Sequence, residues 1–148
     1  MRAIIRNKRG AALVEFAIVV ILLVTLVFGI IEFGLLIKDY LTLNQAAREG
    51  TRSAALLSSA TVVEQRVRDS ATGLGPTELA DLDVQIDQRA YSGGGWGSWT
   101  ALDSSTTDSD VQVRVVASCD HQTIMGSFLG IGDTITISGN MVMKREKK

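Results

Sequence analysis

From Ala11 to Ile37 the chain runs AALVEFAIVVILLVTLVFGIIEFGLLI, 27 residues in which no charge falls between Glu15 and Glu32 and Thr25 is the only polar side chain inside that interval. A helix rises about 1.5 Å per residue and a bilayer core is about 30 Å thick, so residues 11–37 can cross a membrane. The segment before it, MRAIIRNKRG, carries Arg2, Arg6, Lys8 and Arg9 and no acid. A secretory signal peptide has an apolar region of only about 7–15 residues followed by a small-residue cleavage site. This run is longer and is edged by Glu15 and Glu32, so a single membrane anchor is the better reading. Basic residues before the anchor, with Asp39 and Glu49 after it, place the N-terminus in the cytoplasm.

Glu15 is costly inside a bilayer, by about 2.5–3.5 kcal/mol at the centre and less near the edge. One account is an interfacial acid near a helix N-terminus, favoured by the helix dipole. A second follows from its position. A cut after Gly10 makes Ala11 the new N-terminus and Glu15 the fifth residue, one helical turn from a fresh ammonium on the same or an adjacent subunit.

Arg9-Gly10 followed by Ala11-Ala12-Leu13-Val14-Glu15-Phe16 resembles the class III, prepilin-type leader of type IV pilins. Ile31-Glu32-Phe33-Gly34 and the run Leu43 to Ala55, LNQAAREGTRSAA, are similar to the TadE-like pseudopilins, or minor pilins, of tight-adherence (Flp) pili. The resemblance covers residues 1 to about 57. Thr51 stands where many members have Ala. The resemblance implies processing between Gly10 and Ala11 by a prepilin peptidase, and assembly roles for Glu15, Phe16 and Glu32. It also implies partnership with other pilins and pseudopilins, with an inner-membrane assembly platform and with membrane lipid. The expected location is the bacterial inner membrane, single-pass, with the C-terminal part extracytoplasmic. The expected outcome is initiation of a pilus for surface attachment and biofilm formation. The alternative is an unprocessed, signal-anchored periplasmic binding module. Gly29 and Gly34 suit lipid-phase packing, and their spacing is not GxxxG.

The helix should run on past the membrane. Leu36, Tyr40, Leu43, Ala47, Gly50, Ala54 and Leu57 alternate in spacings of four and three, one narrow stripe on a continuous helix about 70 Å long. Its middle is small, so something packs closely there. Val62, Val63 and Val67 suggest a short amphipathic helix, stopped by Gly73-Leu74-Gly75-Pro76. Three alternating runs then read as half-buried antiparallel strands: Leu82, Val84, Ile86; Val111, Val113, Val115; and Ile135, Ile137, Met141, Met143. The expected fold is α+β and pilin-like. A long N-terminal transmembrane helix and a short helix pack on a small antiparallel sheet of three or four strands. The segments are a leader (1–10), a membrane span (11–37), an extracytoplasmic continuation of the helix (38–57) and an outer domain (58–148).

Composition narrows the chemistry. The formal net charge is -1, from 15 basic and 16 acidic residues, which argues against a general nucleic-acid binder. Removal of the basic leader leaves residues 11–148 at -5. One Cys and one His leave no disulfide framework, Cys-cluster zinc site or Ser-His-Asp triad to expect. No enzyme activity, cofactor or metal is expected. Cys119 and His121 share a strand face, with Cys119 expected as a buried thiol at a strand end. Asp103, Asp108 and Asp110 form an acidic loop that lacks the EF-hand spacing and reads as solvated. The segment YSGGGWGSW is a flexible hairpin loop without the P-loop lysine. Its Trp96 and Trp99 either fold back onto the sheet or offer a partner-contact patch. GSFLGIGD reads as a short helix and turn, and the tail KREKK as a solvated end.

Overall fold

The computed structural model describes residues 8–103, 110–130 and 132–146. Helix α1 runs unbroken from Lys8 to Ala55. It ends in a Schellman arrangement. Leu57 takes a left-handed φ of 68°, the Ser58 N–H donates to Ser53 and the Leu57 N–H to Ala54. The rest of the chain forms α2 (Ala60–Ser70), α3 (Pro76–Ala80), β1 (Asp83–Ser92), β2 (Gly95–Trp96), β3 (Thr100–Ala101), β4 (Val111–Gln122), α4 (Gly126–Leu129) and β5 (Thr134–Lys144). This is the α+β architecture expected from the periodicity. Pro76 starts α3 as well as following α2, since a proline at the first helical position gives up an N–H that has no partner there.

All strand pairings are antiparallel, in the order β2-β1-β4-β5, with β3 also on β1. The long central strand β4 pairs β1 from Asp83↔Ser118 to Ala90↔Val111 and β5 from Gln112↔Lys144 to Gln122↔Thr134. Ser92 and Gly95 close a two-residue hairpin in which Gly93 and Gly94 both take positive φ, 62° and 88°. That is the turn whose twist matches the strands, and glycine occupies it without strain.

The pleat places Val111, Val113, Val115, Ala117, Cys119 and His121 on one buried face of β4. Helix α1 lies across that face and across β5, and α2 packs on α1. The buried side of α1 is wider than the narrow stripe. Leu43, Ala46, Ala47, Thr51, Ala54 and Ala55 are buried, while Tyr40 is exposed. Tyr40 falls off the stripe, since the buried side of α1 faces the sheet and α2 together. Two glycines set the closest approach. A Cβ at Gly139 of β5 would lie 2.6 Å from the Leu43 backbone, and one at Gly50 would lie 2.3 Å from Val67 Cγ2 and 3.3 Å from Val115 Cγ1. The Thr51 hydroxyl, fully buried, donates to the Ala47 carbonyl at 2.6 Å and reaches Met141 O at 3.3 Å, so its polar atom is satisfied inside the core.

Residues 11–31 of α1 include no buried residue. Leu13, Phe16, Ile18, Ile21, Leu22, Leu26 and Ile30 are all more than half exposed. This uncovered stretch is about 30 Å long at 1.5 Å per residue, the thickness of a bilayer core. The outer domain reaches down the helix as far as Glu32, several residues nearer the N-terminus than a span ending at Ile37 implies. One long apolar helix of this kind fits a single-pass membrane anchor.

Candidate functional site

Two regions of α1 carry the candidate residues. In the first, Gly10 and Ala11 lie within the helix and are exposed, and nothing stands within 4 Å of a Cβ built on Gly10. Glu15 and Phe16 follow on the uncovered apolar surface. An apolar helix that buries nothing in its own chain must find lipid or other subunits to cover it.

The second region is where α1 enters the outer domain. Glu32 and Asp39 are seven residues apart, two helical turns, and so share one face. That face meets the far end of β4, where His121 points inward by the strand's alternation. Its Nδ1 lies 2.7 Å from Asp39 Oδ2, and its Nε2 lies 3.6 Å from Glu32 Oε1. Glu32 Oε2 accepts from the Ile124 N–H at 2.9 Å. Asp39 Oδ1 has Lys38 Nζ at 3.0 Å as its counterion. Glu78 of α3 accepts from the Gln122 N–H, and ligating atoms of Asp39, Glu78 and His121 fall within 4.8 Å of one another. All four side chains are buried, with His121 and Asp39 3% exposed and Glu32 5%.

Composition and spacing do not disclose this cluster. Its members lie at positions 32, 39, 78 and 121, and only docking of the sheet on α1 brings them together. The one available signal is a lone histidine on the apolar face of an alternating strand, a position that demands a polar partner when buried. Cys119, the residue paired with His121 in sequence, is buried in β4 and takes no part in the contact. Its thiol is pushed up to about 11 by burial first and then by the negative charges of Asp39, Glu78, Asp81 and Asp120.

The tryptophans fold back over the polar face of the sheet. Trp99 lies under two guanidinium groups, 4.4 Å from Arg89 and 4.5 Å from Arg114. Trp96 meets Tyr91 edge-on at 5.3 Å. Arg114 is held in turn by an ion pair with Asp87. Asp108 lies outside the described residues. Asp110 pairs with Lys144 at 2.6 Å, and the Asp103 carbonyl accepts from Arg145. The tail is therefore not simply a solvated end. Arg145 is buried, donating also to Gln88 Oε1, because strand β5 carries it past the last sheet pair into the core edge.

Residues 10–52 match the model of the TadE-like protein family. No curated protein and no solved structure matches the chain. The matched segment begins at Gly10, takes in the whole uncovered apolar helix with Glu15, Glu32 and Asp39, and ends within the buried small-residue face. Over residues 10–52, then, this chain is similar to the TadE-like protein family, a likeness that suggests a pilin-like protein associated with the tight-adherence pilus.

Proposed function

We propose that the protein is a minor pilin, or pseudopilin, that helps initiate assembly of a tight-adherence pilus for surface attachment and biofilm formation. The observation that carries this reading is the conjunction of the TadE-like match over residues 10–52 with an apolar helix exposed from Ala11 to Ile31. In the precursor that helix lies in the inner membrane, with the basic N-terminus cytoplasmic and the outer domain extracytoplasmic. A prepilin peptidase cuts after Gly10. The apolar stretch then exchanges lipid for neighbouring pilins and pseudopilins at an inner-membrane assembly platform.

Glu15 is the residue we assign to register. Within the apolar stretch, it presents its carboxylate to the Ala11 ammonium of a neighbour. A desolvated pair of that kind is worth more than the about 0–1 kcal/mol of a surface ion pair, and leaving it unmade costs more still. Phe16, beside it, adds exposed apolar area to the same contact. The role is structural, with no catalytic step.

N-terminal sequencing of membrane-extracted protein from cells holding the peptidase should begin at Ala11. A mature chain beginning at Met1 sinks the processing step. Replacing Gly10 with a bulky residue should block both cleavage and piliation. Glu15→Ala should be cleaved normally yet fail to support pili, and normal piliation by that variant would refute the assembly role.

A further inference from the structure

The buried cluster poses a charge problem that its protein groups leave unsolved. A neutral imidazole has one N–H and one bare lone pair. Both nitrogens of His121 face carboxylate oxygens, Nδ1 at 2.7 Å from Asp39 and Nε2 at 3.6 Å from Glu32. Whichever nitrogen bears the proton, the other turns a lone pair toward an oxygen. Neither Glu32 Oε1 nor His121 Nε2 has a hydrogen-bond partner among the described residues, and both residues are more than nine-tenths buried. Glu78 brings a third buried carboxylate within 4.8 Å, while among the described residues Lys38 is the one cation paired there. Three carboxylates and one ammonium leave a charge of -2 around a neutral imidazole. A second proton on His121 removes only half of it.

We propose that this cluster is a divalent transition-metal site, with His121 Nδ1, Asp39 and Glu78 as ligands. Mixed imidazole and carboxylate donors suit zinc or manganese, whereas calcium and magnesium favour oxygen alone. With the ion on Nδ1, the Nε2–H faces Glu32 Oε1. That is the usual outer carboxylate of a metal-bound histidine, and Glu32 is itself fixed by the Ile124 N–H. The charges then sum to zero. The ligands come from α1, α3 and β4, so the ion fastens the outer domain to the helix at the point where the helix leaves its apolar stretch.

The test uses the full chain in detergent micelles, stripped with chelator and titrated with Zn²⁺ and, separately, Mn²⁺. Calorimetry should show one equivalent of at least one of these ions bound, with a rise in the thermal unfolding temperature. His121 is the only histidine, so ¹⁵N-histidine NMR reads the site directly. Zinc should move the Nδ1 signal and leave Nε2 protonated. Asp39→Asn and Glu78→Gln should each weaken binding at least tenfold, and Glu32→Gln by roughly 10- to 100-fold through loss of the orienting contact. Should Asp39→Asn fail to fold, Glu78→Gln and the wild-type spectrum decide the matter. Failure of folded wild-type protein to bind either ion would overturn the proposal. So would binding that leaves the histidine signals unmoved or is unchanged in Glu78→Gln. A doubly protonated His121 at neutral pH that is indifferent to both ions identifies the cluster as a proton-bridged ion pair and also overturns it.

Discussion

His121 Nδ1 and Asp39 Oδ2, 82 positions apart in sequence, meet at 2.7 Å inside the protein and tie the end of the central strand to the long helix. Removing one member of such a pair leaves a buried polar group without its partner, which costs about 1–3 kcal/mol. We expect Asp39→Ala, in buffer containing chelator, to lower the stability of the outer domain by that order. Urea unfolding of the full chain in micelles, followed by the fluorescence of Trp96 and Trp99, measures it. A loss below about 1 kcal/mol would mean that the contact does not hold the domain on the helix.

Four glycines of the helix and sheet separate into two pairs with opposite expectations. A Cβ at Gly139 or Gly50 collides with the Leu43 backbone or with Val67. Overpacking of this kind costs about 1–3 kcal/mol, and Gly139→Ala belongs at the upper end because backbone cannot step aside as a side chain can. Gly29 and Gly34 have nothing within 4 Å, so alanine at either should leave the outer domain's unfolding unchanged. Equal effects at Gly139 and Gly34 would contradict the docking of α1 on β5.

Cys119 should resist alkylation in the folded protein. Its thiol stays protonated up to about 11, against 9.0 in an unstructured chain. Iodoacetamide at pH 8.5, scored by intact mass, should label it slowly until urea is added, then at once. The linkage sign follows from the same shift. Between 9.0 and about 11 the unfolded chain gives up a proton that the folded one keeps. Stability from this group therefore falls as pH rises through that window.

Trp99 sits against Arg89 and Arg114 at 4.4 and 4.5 Å. At partly exposed sites such contacts are worth about 0.5–1 kcal/mol each. Trp99→Ala should cost stability of that order, while Trp99→Phe should retain much of it. A gain in stability for Trp99→Ala would show that the ring is held against its preference, as a surface meant for a partner would be.

Much of the fold was legible along the chain because its two periodicities are clean. The four-three spacing from Leu43 to Ala54 and the alternation of Val111, Val113 and Val115 each bury one face, and a buried face determines both element type and orientation. Short elements were not legible in the same way. Strands β2 and β3 have two residues each and α3 has five, too few for a period to register. The Gly10–Ala11 junction and Glu15 could be read as a motif because their relation is purely local.

What the sequence determined by itself is the anchor and the kind of surface each element hides, since hydrophobicity and its repeat are properties of consecutive residues. Tertiary structure alone decided that Glu32 and Asp39 turn inward beneath the outer domain, that Gly139 lies on Leu43, and that His121 stands among three carboxylates. Those relations depend on how far along the helix the sheet docks. One helical turn of sliding would separate His121 from Asp39 without altering any local pattern. The register is held by close contact at glycine and by the cost of burying an unpaired charge, and both exist only once distant segments touch.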